Sequence, residues 1–377
     1  MTDHRPTPYV YGLDLVRFLC TLMVCAFHLT WHNPQMVSTM PFGWIGVQIF
    51  FVISGVVIAN SAARATPLQF LRSRFLRLYP AAWLAAIVNF GLLLAVPVAT
   101  FGAVGVWVDP SLKGLAFSLA LLGNTFLTSA YWTLPIELAF YALILLSIVG
   151  GGARRFVAVA RLLVVASLPY VVFLFAATRS AGALGWFDFG YGPKNMLLLR
   201  HGIYFATGMY FWLLNSRHRL AGIDWLLLAL ALAGAGLEIH TRAAQIVSSY
   251  AVGAHGPLSI GFLVAGALAI FAACTCGIFV ALRHAQAWVP PARLATLVRT
   301  LGLVTYPFYL LHEILGGFML HAGLSRGLPH AAALALAMAA VGVVAWLIVR
   351  HGEPVLRRAI GNAFGGNKAS ARAGVKF

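Results

Sequence analysis

Apolar residues in this chain come in runs of about 20, parted by short stretches rich in Arg, Gly and Pro. An α-helix rises 1.5 Å per residue, so such a run crosses a hydrocarbon core of about 30 Å. The ten-residue alternating segments of a membrane barrel are not the pattern here. The runs predict about ten transmembrane helices, near residues 11–31, 43–61, 80–100, 133–150, 157–177, 196–214, 221–237, 258–281, 300–320 and 331–350. The apolar stretch 114–129 is short and reads as a re-entrant or interfacial segment. The fold class expected is therefore all-α, a polytopic helix bundle in a lipid bilayer. Residues 1–356 form the transmembrane domain, and 357–377 a short basic tail expected to be disordered. No internal repeat of the transporter kind is visible.

Composition agrees. The chain is 61% hydrophobic and 9% charged, whereas soluble domains carry about 25% charged residues. The net charge of +17 would suggest nucleic acid in a soluble protein, but here its distribution points to topology. Loops on the N-terminal side of the bundle hold 19 of the 26 basic residues, and the opposite loops hold 6. Basic loops stay in the cytoplasm, so both termini are expected there and the number of spans is even. No nucleic-acid partner is expected. The four cysteines, Cys20, Cys25, Cys274 and Cys276, all fall in apolar runs and are read as small core residues. The polar start runs directly into the first span, which is expected to be retained rather than cleaved.

That first span holds Asp14, Arg17 and His28. A charged group at mid-bilayer costs about 2.5–3.5 kcal/mol on insertion scales, so these three must face the bundle interior. At 100° per residue, Arg17 and His28 differ by roughly 20°, and Asp14 lies within about 60° of both. They share one face, with Arg17 and His28 about 16 Å apart along the axis. Asp14 and Arg17 can pair at i,i+3. His28 has the chemistry of a general base. His32 follows at metal-pair spacing, but no third ligand is visible, so no metal is expected.

The Asp-x-x-Arg-x10-His pattern of Asp14, Arg17 and His28 resembles the start of the membrane acyltransferase-3 family. Four further segments are similar to that family in its order: GVQIFFVISG from Gly46, RFLRLYPAAW from Arg74, YWTLPIELAFY from Tyr131 and YPFYLLHEI from Tyr306. Gln48 stands where the family usually has an acid, and Leu138 where it often has a second Glu. The resemblance implies an O-acyltransferase of a bacterial inner membrane. The implied donor is an acyl-CoA, usually acetyl-CoA, on the cytoplasmic side. The acceptor is a hydroxyl of a cell-surface or lipid-linked glycan on the outer side.

On that reading Arg74 and Arg77, with Arg72 as a weaker member, bind the phosphates of coenzyme A, to which the planar guanidinium fork is suited. His28 serves as base or transient acyl carrier, with Arg17 and Asp14 positioning the donor. Glu137 orients acceptor hydroxyls, Trp132 stacks on a sugar ring, and His312 joins the acceptor site. The chain is expected to deliver the acyl group directly, without a further extracellular domain. The residues alone also fit a proton-coupled transporter, which would bury Asp, Arg, Glu and His in helices as well.

Overall fold

The computed structural model describes residues 9–33, 36–37, 39–179, 192–216, 218–251 and 258–363. The helices are α1 (Tyr11–Thr30), α2 (Ile45–Ala62), α3 (Pro67–Ala95), α4 (Val98–Gly102), α5 (Leu112–Ala120), α6 (Thr133–Val149), α7 (Phe156–Arg179), α8 (Gly202–Asn215), α9 (Gly222–Ala251), α10 (Ile260–Arg283), α11 (Ala292–Leu311), α12 (Ile314–Ser325), α13 (His330–Leu347) and α14 (Glu353–Ala363). Among the described residues no strand forms, only an isolated bridge between Val108 and Thr128. The helices bury one face on each other and leave large apolar side chains outside. Leu94, Leu146 and Val165 are 71%, 68% and 60% exposed, which suits lipid and would be a liability in water.

Nine helices among the described residues are long and apolar enough to cross a membrane. The tenth expected span is α8, at 14 residues, about 21 Å long at 1.5 Å per residue. Every residue from Gly202 to Leu213 is buried, which explains a helix that is apolar all round. It runs beside α2 in the same direction. Phe51 meets His201 and Phe205 near its start, and Trp212 donates to Asn60 Oδ1 at 3.2 Å near its end. The two backbones touch: a Cβ on Gly208 would lie 2.0 Å from the Val52 carbonyl oxygen. Small residues allow such close approach where hydrophobic driving force is absent.

Three expectations change. The span placed at 300–320 is two helices, α11 and α12, with His312 and Glu313 in the break between them. Pro307, which lacks a backbone N–H, lies one turn before that break. The arginines expected in a loop before the third span lie on α3, which starts thirteen residues earlier than its apolar run. Pro67 opens it, and Thr66 and Gln69 exchange side-chain-to-backbone hydrogen bonds in a capping box. The cap outweighs the charge of the segment. Finally, Cys276 is exposed on the outer surface of the bundle rather than in the core.

The stretch 114–129 doubles back. α5 leans on α3, where Tyr79 Oη donates to the Ala120 carbonyl at 3.2 Å and Trp83 Nε1 to that of Leu119 at 2.9 Å. Leu121 then turns the chain in the left-handed region at φ 58°. The return is pinned by Leu127 N–H donating to Ser118 Oγ at 3.0 Å and Asp109 N–H donating to the Leu127 carbonyl at 3.0 Å. Entry and exit therefore share one end of the bundle, and the segment is no full span. Of the segment 357–377, residues to Ala363 belong to α14. The stretch 364–377 and the first eight residues lie outside the described residues.

Candidate active site

The last turn of α11 creates the site. Helix ends leave carbonyls without partners, and here side chains take them. Asn89 of α3 donates to the Leu310 carbonyl at 2.8 Å, and His312 Nδ1 lies 2.5 Å from the Tyr309 carbonyl. A carbonyl only accepts, so His312 carries its proton on Nδ1 and presents a bare Nε2. That Nε2 lies 2.7 Å from His28 Nδ1. His28 must therefore donate from Nδ1, which leaves its own Nε2 as the free base. The two rings are nearly parallel, 13° apart, and meet edge to edge with centroids 5.0 Å apart.

Glu313 completes the cluster. Its Oε1 lies 3.3 Å from His28 Nδ1. The carboxylate also accepts from Ser129 Oγ at 2.6 Å, from the Ala130 backbone N–H at 3.0 Å and from the Thr128 hydroxyl. A 3-10 turn, Ser129–Trp132, supplies two of these donors. His312 and Glu313 are buried, but the His28 side chain keeps 20% of its surface accessible. The imidazole is thus braced from behind and open at the front.

Asp14 and Arg17 do not join His28. They form a second centre toward the start of α1, where Arg17 pairs with Asp14 at 3.6 Å and the Tyr9 hydroxyl donates to Asp14. A Cβ on Gly302 of α11 would fall 2.4 Å from the Asp14 carboxyl carbon, so glycine makes room for this buried acid. Arg77 and Glu137 lie within electrostatic reach of Arg17.

The three arginines of α3 part company. Arg74 is buried with its guanidinium over the rings of Phe70 and Tyr141, on the wall of a cavity of about 210 Å³. Arg77 lies within electrostatic reach of the Asp14–Arg17 centre. Arg72 is exposed. A helix sends residues two apart to different faces, so Arg72 turns away from Arg74, whereas Arg77, three residues on, stays within electrostatic reach of the same Tyr141.

Of the acceptor-site candidates, Glu137 and His312 lie apart from Trp132. Glu137 accepts from Tyr141 Oη at 2.5 Å and belongs to the Arg17 centre, more than a turn along α6 from Trp132. His312 has no accessible surface and bonds to His28. Trp132 packs against Phe51 and His201, with centroids 6.5 and 5.5 Å away. Gln48 meets an acid from another helix. Glu238 of α9, fully buried, takes Gln48 Nε2 at 3.4 Å, Tyr204 Oη at 2.7 Å and Arg200 Nε at 2.7 Å.

Glu313 was missed in the sequence although it follows His312 directly. Its signal was an acid inside an apolar run, the same signal that singled out Asp14. It also supplies the third ligand type that the His28/His32 spacing lacked. Ligand atoms of His28, His312 and Glu313 lie within 4.8 Å of one another. In the present geometry His28 Nδ1 is committed as a donor to His312, and a cation between these rings would require the other tautomer of His28.

Comparison with known proteins gives a consistent result. A family model described as an acyltransferase domain matches residues 10–350. BcsY of Komagataeibacter xylinus, a protein named as a membrane-bound transacylase, is 30% identical over 167 residues, covering 38% of each chain. No solved structure matches.

Proposed function

The chain belongs to the acyltransferase domain family, and from that premise we propose that it is an O-acyltransferase using His28 Nε2 as general base. The observation that carries the reading is the relay from the Tyr309 carbonyl through His312 to His28, with Glu313 beside it. On this proposal the acceptor hydroxyl gives its proton to His28 Nε2 as its oxygen attacks the thioester carbonyl. The carbon–sulfur bond breaks, and the leaving thiolate takes the proton back from the imidazolium. Glu313 stabilises the imidazolium while it exists. The oxyanion needs a positive or hydrogen-bonding partner.

The donor is acetyl-CoA, entering from the cytoplasmic side. Supporting this, Arg17, Arg77 and Arg357 gather at the end of the bundle where the basic loops lie. Arg74 and Arg77 receive the nucleotide end and Arg17 guides the arm toward His28. The acceptor is a glycan hydroxyl reached from the opposite face, with both termini on the cytoplasmic side of a bacterial inner membrane.

The test uses the full chain in nanodiscs. With acetyl-CoA and a sugar acceptor, free CoA thiol should appear only when the chain is present. A transporter would release none, and its absence removes the proposal. Transfer should also survive prolonged dialysis against EDTA. Activity lost to the chelator and restored by Zn²⁺ would instead make His28, His312 and Glu313 a metal centre.

A further inference from the structure

A second buried polar cluster stands beside the first. Glu238 sits at its centre, ion-paired with Arg200 and bonded to Tyr204 and Gln48. Arg200 NH2 also donates to Gln245 Oε1 at 3.1 Å. This base is saturated, yet two groups at its edge are not. Both ring nitrogens of His201 are buried without a hydrogen-bond partner, and so is Gln48 Oε1. His201 is 3% exposed and Gln48 5%. Buried polar atoms are rarely left so, because each orphan costs about 1–3 kcal/mol.

Their surroundings suggest what they wait for. The His201 ring packs against both Phe51 and Trp132, with centroids 5.0 and 5.5 Å away, and those two rings meet each other at 6.5 Å. Gln48 is one turn before Phe51 on α2. Trp132 is half-buried and ends the same four-residue turn whose Ser129 and Ala130 hold Glu313. That turn joins the orphan groups to the His28 centre. Arg242 lies within electrostatic reach of both His28 and His201.

Resting on the transferase reading, we propose that Trp132, His201 and Gln48 form an acceptor subsite for a neutral, hydroxyl-rich ring, an uncharged sugar unit. Trp132 supplies an apolar face for the ring. The orphan atoms set the polarity. Glu238 can only accept, so Gln48 turns its NH₂ to it and leaves Oε1 seeking a donor. Neutral His201 offers one donor and one acceptor. Hydroxyls satisfy all three. An anionic group would bring acceptors to Gln48 Oε1 and a like charge toward Glu238.

Saturation-transfer NMR on the full chain in nanodiscs tests this without chemistry. Methyl glucoside should receive saturation from the wild type, and neither methyl glucuronide nor inorganic phosphate should displace it. Trp132→Leu and His201→Gln should each weaken binding about tenfold, equivalent to about 1.4 kcal/mol. Gln48→Leu offers a third variant if either of those fails to fold. The subsite is overturned if methyl glucoside shows no saturation, if phosphate or the glucuronide displaces it, or if the folded variants bind as the wild type does. Wild type that binds methyl glucoside but never releases CoA keeps the subsite and loses the transferase reading. Wild type that releases CoA while the variants bind normally keeps the transferase and loses the subsite.

Discussion

Exchanging His28 for alanine is expected to lower acyl transfer about 10²–10⁴-fold, the range a positioned general base contributes. Protein level and fold should hold, because the ring is partly open and the cavity it leaves can take water. His312→Ala should cost less, roughly tenfold, as it removes one orienting hydrogen bond rather than the base. It should also change the pH profile, since His28 would lose the acceptor that fixes its tautomer. The measurement is CoA release with purified protein, paired with mass spectrometry of surface glycans from cells carrying each variant. Full O-acylation with His28→Ala at normal protein level would remove His28 from the reaction. A drop for His312→Ala without any change in pH profile would reduce His312 to packing.

Glu238→Leu is expected to be the most destabilising single change in the bundle. Arg200 is 3% exposed and Glu238 0%, so removing the acid leaves a guanidinium buried and uncompensated. Breaking such a pair from one side typically costs about 3–5 kcal/mol. Replacing both, as Glu238→Leu with Arg200→Met, should recover most of the loss, because apolar pairs of similar volume can match a buried ion pair. Thermal unfolding of the detergent-solubilised protein reads both. A single variant as stable as the wild type would mean that Gln245 and its neighbours already hold Arg200.

The site was partly legible beforehand. His28 stood out because an imidazole in a 20-residue apolar run requires a reason, and the structure places it at an accessible junction. Helical arithmetic also brought Asp14, Arg17 and His28 to the inward face, as found. It could not tell that Asp14 faces Gly302 on a helix nearly 300 residues away. Nor could it divide the arginines of α3, because a basic cluster before an apolar run reads the same whether it is loop or capped helix. Glu137 was drawn to Trp132 by its place in one motif, whereas its carboxylate is drawn to Tyr141 and the charge of Arg17.

The amino-acid pattern alone determined the class of solvent, the helix bundle and most of its spans, since apolar runs are properties of the chain read in order. Tertiary structure decided what the polar groups do. A residue such as Glu238 acquires its setting only from Gln48 and Tyr204 on two other helices and from Arg200 in the turn before α8. The tautomer of His28 is of the same kind. It depends on one carbonyl exposed where α11 ends, and unpaired backbone groups inside a membrane bundle must be answered by whatever side chain packing brings near.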